Sequence, residues 1–382
     1  MKHIFFYTNI RTWDYTLGIT RKVYSEIESF KKLGYNVTYS GYLEDGVAIF
    51  DSNHDIIISK KYRVKNDLIN HILRRSMILK LCISYLKTQS IIYSFSYVRY
   101  HFFDKLYIKL LYELNNCSNK VIIEAHSTPK FQSGINKFTW VAWKDKKWNK
   151  CAKKYVCLVA SMSGDDEMWG IPAVQISNGI DVKTIKLHNY SSVVDDINLI
   201  AVSFEAPVHG YDRVLKGIRN YYNCGGTRNV IFHIVGTVMS STRQLIYELG
   251  LEKRCILYGP KAGKELDDIY DKANIGIGCL ANHRIGSAFG SALKTKEYIA
   301  KGIPFIYGWN EAVLENFKYA LNYELSETPI DINRLIAFYD SLDKKNLAER
   351  IRNHLSFKDT WDYQIGLVVD AINKRKNDVT GL

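Results

Sequence analysis

The sequence predicts an α/β protein made of two successive domains, each a parallel sheet flanked by helices, and three observations lead there. Short apolar runs alternate with longer segments of helical period, the rhythm of strand–helix–strand units. That rhythm passes once through the first half and restarts beyond Ser177–Asp181. The length, 382 residues, is enough for two or three domains that each bury a core.

In the first half the expected strands are His3–Tyr7, Asn36–Tyr39, Asp55–Ser59, Ser90–Phe95, Lys120–Ala125, Tyr155–Ala160 and Val174–Ile176. Helical segments lie between them, among them Ile19–Leu33, Asp67–Leu86 and Phe102–Asn115. The run Lys31-Lys-Leu-Gly34 closes a helix with basic residues and a glycine before the next strand begins. After the restart the expected strands are Asn198–Val202, Val230–Val235, Cys255–Tyr258, Ile275–Cys279 and Pro304–Tyr307. Beyond the loose stretch Ser356–Asp359, the segment Thr360–Lys374 spaces Trp361, Ile365, Val368, Val369 and Ile372 as one helix face.

Composition narrows the class. A chain 47% hydrophobic and 24% charged, with only 6 Pro, is neither disordered nor of low complexity. The net charge of +13 invites an anionic partner, and the surplus is uneven. Residues 1–180 hold 26 Lys and Arg against 15 Asp and Glu, whereas residues 181–382 hold 26 against 24. The 7 cysteines are scattered and lack C-x-x-C or metal-ligand spacing, which predicts buried thiols in a reducing compartment and no metal site. The apolar start, Met1-Lys-His-Ile-Phe-Phe-Tyr, is too short for a signal peptide and predicts a first strand. No run approaches the roughly 18 apolar residues of a membrane span. The expected location is therefore cytoplasmic, or on a membrane face without crossing it.

The densest chemistry lies in the second half, in Gly290-Ser-Ala-Leu-Lys294-Thr-Lys-Glu297-Tyr-Ile-Ala-Lys-Gly302-Ile-Pro304. A loop of small residues opens a helix there, and free amides at such a helix start attract phosphate. Lys294 on the first turn adds a point charge, and Glu297 about one turn on can accept hydrogen bonds from sugar hydroxyls. A plain loop-to-helix junction with an exposed Lys and Glu would look the same.

These motifs resemble the GT-B glycosyltransferases, close to glycosyltransferase family 4. The run Leu293–Pro304 is similar to that family's nucleotide-sugar segment, and Ile176-Ser-Asn178-Gly179-Ile-Asp181 to the approach to its donor domain. His209-Gly210-Tyr-Asp212-Arg213 resembles the family's Lys-Gly-Tyr/Phe-Asp element; Ile234-Val-Gly236 and Cys255–Tyr270 fall at the expected distances. The resemblance makes Glu297 the ribose-holding second carboxylate of a paired-Glu motif. The first carboxylate, eight positions earlier, is replaced by Phe289, so the donor sugar must be gripped by something else in Asn282–Ser291, such as backbone amides, His283 or Arg284. His209 stands where the family has a phosphate-binding Lys. A neutral imidazole offers one donor, which shifts the charge onto Lys294 or Arg213. Asp212 and Arg213 read equally well as a helix-start carboxylate and a solvated side chain.

In the first half, Thr16-Leu-Gly18-Ile-Thr20-Arg21 resembles the glycine-containing loop that approaches the donor diphosphate, although a plain turn reads the same. Glu124-Ala-His126-Ser-Thr128-Pro129 resembles the segment whose His lies beside the donor sugar, and a structural His at a strand end is the alternative. In Trp140–Lys154, three Trp among six Lys suggest a helix lying on an anionic membrane, with Arg74, Arg75, Lys80 and Lys87 pointing the same way. A solvated helix with its Trp residues in the core fits equally.

Three rivals frame the expectation. A dinucleotide oxidoreductase would need G-x-G-x-x-G after the first strand, which has none. A basic nucleic-acid-binding module would show a recognisable motif or a dense basic tail. A GT-B-fold sugar-nucleotide epimerase would need neither acceptor nor membrane.

The resemblance implies two Rossmann-like domains, residues 1–178 and 179–356, with a final helix within 357–382 crossing back onto the first, and an interdomain cleft between the sheets. It implies a retaining glycosyltransferase that needs no metal and no cofactor. Its donor is a nucleoside-diphosphate sugar, UDP-linked in the first instance and GDP-linked in the second. The acceptor is a hydroxyl of a surface glycan or lipid-linked oligosaccharide, with peripheral contact to an anionic membrane and no nucleic-acid partner. Gly18, His209, Arg213, Gly236, Lys261, Ser291, Ala292, Leu293, Lys294 and Glu297 are the expected donor-site residues. His126 and Lys294 stand nearest the chemistry.

Overall fold

The computed structural model describes residues 2–62, 67–125, 140–162, 165–190, 195–286 and 290–379. The chain forms two compact units, one of Met1–Tyr15, Ile19–Ser177 and Trp361–Leu382, the other of Thr16–Gly18 and Asn178–Thr360.

The first unit is built on a nine-stranded sheet. Its strands are β1 (Lys2–Tyr7), β2 (Tyr35–Leu43), β3 (Gly46–Phe50), β4 (Ile56–Lys61), β5 (Phe95–Arg99), β6 (Val121–Ala125), β7 (Val156–Ser161), β8 (Glu167–Met168) and β9 (Ile171–Gln175). They lie in the order β4-β3-β2-β1-β5-β6-β7-β9-β8. The helices are α1 (Gly18–Lys32), α2 (Asp67–Thr88), α3 (Lys105–Ser118), α4 (Trp140–Ala152) and, from the far end of the sequence, α11 (Trp361–Val379). Strand β1 shows why both faces are covered: successive side chains point to opposite sides, and all four of its apolar residues are buried. Ile4 and Phe6 pack with Val23, Ile27 and Phe30 of α1 and Ile365, Val368 and Ile372 of α11. Phe5 and Tyr7 pack on the other face with Ile78 and Cys82 of α2 and Leu110 and Leu114 of α3. Asp104 starts α3 by accepting the Tyr107 amide at 2.8 Å.

Three expectations change here. The sheet is mixed, because β3 pairs antiparallel with β2, β4 with β3, and β8 with β9. Strand β3 was not expected from sequence; Leu43 pairs with Gly46, so Glu44-Asp45 form a two-residue hairpin turn. The strand expected at Ser90–Phe95 begins instead at Phe95. Ile91 and Ile92 supplied the apolar signal, yet Ile92 is 85% exposed, and the continuously buried run starts only at Phe95.

The second unit is a six-stranded, all-parallel sheet of β10 (Ile197–Val202), β11 (Val230–Val235), β12 (Cys255–Gly259), β13 (Ile275–Ile277), β14 (Phe305–Tyr307) and β15 (Ala320–Asn322). The order is β12-β11-β10-β13-β14-β15. Numbered within the unit this is 3-2-1-4-5-6, the doubly wound order, whose direction reverses between β10 and β13. Helices α5 (Tyr211–Asn223), α6 (Ser240–Glu248), α7 (Gly263–Tyr270), α8 (Leu293–Lys301), α9 (Ile332–Ser341) and α10 (Leu347–Arg352) complete it. Gly217 lets α5 approach the chain at Ile330, where an added Cβ would stand 2.2 Å from the carbonyl oxygen.

Candidate functional site

In open α/β sheets ligands gather beyond the carboxyl ends of the strands where the order reverses. In the second unit that point is the end of β10 and the end of β13. The loops leaving those strands lie side by side: the Leu280 amide donates to the His209 carbonyl at 3.3 Å and the Ala281 amide to Val208 at 3.0 Å. Gly210 makes the approach possible, with φ of +66° and a Cβ position only 3.1 Å from Leu280 Cβ.

His209 is buried at this junction. Its Nδ1 accepts the Ala206 amide at 3.0 Å, which leaves the proton on Nε2. Burial, then the nearby Lys294 charge, push its pKa down to about 2, so the ring stays neutral. Tyr211, two residues on, shares a 2.6 Å hydrogen bond with Ser203 at the end of β10.

Lys294 sits on the first turn of α8 and is only 6% exposed. Its Nζ is buried and has no hydrogen-bond partner, with the Tyr211 ring centroid 5.7 Å away. Burial lowers its pKa, against the pull of Cys279, Glu297 and Glu205. Glu205 is not free to pair with it: its carboxylate accepts the Met239 amide at 2.7 Å and the Thr242 hydroxyl at 2.5 Å, holding the start of α6. A buried ammonium without a partner costs several kcal/mol, roughly, unless an anion arrives.

The turn before α8 is fixed from the unit's first residues. Asn178 donates its amide to Ser291 Oγ at 3.1 Å and its side-chain NH₂ to the Ser291 carbonyl at 2.5 Å. Ala292 is extended and offers no side-chain cap, so the amides opening the helix at Leu293 keep their donors for a ligand or a neighbour. Glu297 follows, half-buried, on the next turn. Gly236 ends β11 with φ of +118°, and a Cβ there would stand 2.0 Å from the Ser203 carbonyl, so its role in the fold is close approach. Lys261, just before α7, pairs with Glu265 at 3.0 Å. Gly18 opens α1 in sequence after β1.

Arg213, expected at the donor diphosphate, is largely taken up by the fold. Its guanidinium is buried and spent on backbone carbonyls, donating to Thr328 at 2.7 Å, to Glu324 at 3.0 Å and to Leu280. It ties the loop after β13 to the segment before α9. Arg213→Leu is expected to lower stability by about 3 kcal/mol or more, because three carbonyls lose their donor; a urea midpoint within 0.2 M or so of wild type contradicts that account. His283 and Arg284 are likewise committed. Arg284 bridges Asp212, at 2.8 and 3.0 Å, and Glu327, while His283 Nε2 meets Glu327 at 2.6 Å. That network holds Glu327 at about 2, below the usual carboxylate range, chiefly through Arg284. Phe289 and His126 lie outside the described residues. Glu124, two residues before His126, is fully buried and bonded to Lys22 at 2.5 Å.

Sequence reasoning passed over Ser203, Glu205 and Tyr211. Only the proximity of Ser203 and Glu205 to the end of a parallel strand marked them, and that signal is shared by many loop residues.

No family model matches the sequence, and no curated protein matches it. Solved structures do match, end to end. Sucrose-phosphate synthase from Thermosynechococcus elongatus superposes with a TM-score of 0.69 at 14% identity, covering 99% of this chain and 100% of that one. HepE from Anabaena, in complex with UDP-glucose, gives 0.62 at 14% identity over 97% and 100%. WaaG, a glycosyltransferase involved in lipopolysaccharide biosynthesis, gives 0.62 at 10% identity over 97% and 99%.

The chain has the GT-B fold.

Within this GT-B chain the second unit brings His209, Lys294 and the Ser291–Leu293 turn to one switch point. The expected basic surface on the first unit is thinner than its sequence suggests. Arg75 is buried and donates to Asp104 at 2.5 Å, so it is no surface cation. On α4, Trp148 packs against the core, while Trp143 is 58% exposed with Lys147 Nζ 5.1 Å from its ring centroid. Among the described residues no helix is long and apolar enough to cross a membrane.

Proposed function

We propose that this protein is a retaining glycosyltransferase that moves a sugar from a nucleoside-diphosphate sugar, UDP-linked in the first instance, to a hydroxyl of a glycan or lipid-linked oligosaccharide. One observation carries the reading: the buried, unpartnered Lys294 ammonium at the uncapped start of α8, at the switch point of a doubly wound sheet. That combination is complementary to a diphosphate. The GT-B likeness to HepE, solved with UDP-glucose, and to WaaG, of lipopolysaccharide biosynthesis, supports donor and acceptor class in turn.

The bond between the sugar C1 and the diphosphate oxygen breaks, and its electron pair leaves on the diphosphate. Lys294, the amides opening α8 and the Nε2–H of His209 face that growing charge, and fixed donors lower the barrier without reorganising. The acceptor oxygen bonds to C1 from the side the diphosphate leaves, and its proton passes to the departing phosphate, which gives retention. Glu297 holds the ribose hydroxyls, and Ser291, pinned by Asn178, keeps the turn in place. Peripheral docking on an anionic membrane, through α4, brings the enzyme to a lipid-linked acceptor.

Calorimetric titration with UDP, GDP and ADP, with and without magnesium, tests the reading. Saturable binding of one nucleotide without magnesium is expected, weakened about 10- to 100-fold in Glu297→Ala by the loss of hydrogen bonds to a charged acceptor. Absence of binding by all three overturns it.

A further inference from the structure

The turn that carries Ser291–Lys294 is backed by a second loop, residues 308–311, which follows β14. The Gly290 amide donates to the Asn310 carbonyl at 3.2 Å. Gly290 also lies against the buried Trp309 ring, whose Cδ1 would be 3.6 Å from an added Cβ. Trp309 Nε1–H donates to Glu311 Oε2 at 3.0 Å. The other oxygen, Oε1, is shut off from solvent, and so is Thr295 Oγ1 on the first turn of α8.

A carboxylate from another loop therefore stands at the start of a helix whose own Ala292 supplies no cap. Burial pushes the Glu311 carboxyl up to about 7, opposed by the Thr295 hydroxyl, the Trp309 N–H, the Lys296 charge and the Ala292 amide. The other titratable groups that interact with it are Cys279, after β13, and Tyr307 on β14. A helix start favours one anion. When a diphosphate reaches the same end, two negative groups share it, and a like charge disfavours ionisation of the weaker acid.

We propose that Glu311 is a positioning residue for the donor: it holds the Gly290–Lys294 turn and takes up a proton when a diphosphate binds there. This rests on the reading of that turn as the diphosphate site. Oε1, the oxygen that Trp309 does not hold, is where the proton goes. Donor binding is then linked to pH through a group that does not touch the reacting atoms.

The test is calorimetric titration of UDP at pH 7.5 in two buffers of different ionisation enthalpy, comparing wild type with Glu311→Gln. The amide keeps an acceptor for Trp309 but cannot titrate. Wild type is expected to show proton uptake on binding, read from the dependence of the binding enthalpy on buffer, and Glu311→Gln to lose it while still binding UDP. The ligand's own ionisation and that of Lys294 are common to both proteins and cancel in the difference. Trp309→Phe is the second variant. It removes the N–H that favours the carboxylate, so Glu311 already carries its proton at pH 7.5 and the uptake falls. Equal uptake in wild type and both variants overturns the proposal and leaves the nucleotide site standing. No UDP binding by wild type removes the site, and the proposal with it.

Discussion

Lys294→Met is expected to lower turnover about 10²- to 10³-fold, the loss typical of removing one preorganised donor from a developing oxyanion. The same substitution is expected to raise the melting temperature. In the free protein the ammonium is buried without a partner, and replacing an uncompensated charge by an apolar chain of similar length removes its desolvation cost. The direction of the pH dependence follows from the lowered pKa of Lys294, ordinarily 10.5. Below its folded value the lysine is charged in both states and the cost is fully present. As pH climbs from that value towards 10.5 the folded state binds fewer protons than the unfolded one, and the cost is relieved. Wild type should therefore gain stability relative to Lys294→Met over that window. Steady-state kinetics alongside thermal melts at neutral and alkaline pH check both halves. A variant with near-normal turnover, or one that melts lower at neutral pH, sinks the assignment.

The second large effect belongs to the first unit. Lys22 of α1 is buried with its Nζ 2.5 Å from Glu124 and 3.3 Å from Glu26, and it lies 5.2 Å from the Trp361 ring centroid. Arg99 is a second cation of the group among the described residues, 3.7 Å from Glu124. Lys22→Met is expected to cost about 3–5 kcal/mol, because it removes the 2.5 Å cation partner of a fully buried carboxylate. Urea denaturation measures it, and a shift under about 1 kcal/mol counts against a structural role. Glu26 adds a pH signature. Burial and the neighbouring Glu124 charge hold its carboxyl well above the usual 4.5, so the folded state binds the extra proton. Its contribution is fully present below about 4.5 and is lost as pH rises through the neutral range. Glu26→Gln should flatten that loss, and an unchanged stability profile between pH 5 and 8 removes the explanation.

The parallel strands were legible because strands covered on both faces read as unbroken apolar runs; Val230–Val235 is an example that matches at both ends. The same rule misled at Ile91-Ile92, since an apolar run does not say whether anything covers it. The hairpin to β3 carried a readable sign in Glu44-Asp45-Gly46, which the surrounding α/β rhythm masks. At the candidate site, Lys294 and Glu297 were legible from a small-residue loop opening a helix, and Gly210 from motif likeness. What sequence could not reveal was which cations are spent. Arg213, Arg75 and Arg284 look like solvated charges, and only the placement of distant carbonyls and carboxylates from Thr328, Asp104 and Glu327 shows that they are not.

One feature of the first unit bears on how the protein is made. Helix α11 supplies Ile365, Val368 and Ile372 to the core around Ile4 and Phe6, and Gln364 accepts the Ser177 amide at 2.7 Å. The chain thus leaves this unit at residue 177 and regains it only at residue 361. On a ribosome, which emits residues in order, the all-parallel second unit emerges whole while the first still lacks a helix over one face of its sheet. Maturation is then expected to run out of sequence order, with the earlier-synthesised half finishing last. A nascent chain stalled before residue 361 would present to chaperones the apolar surface beside β9, against which α11 packs.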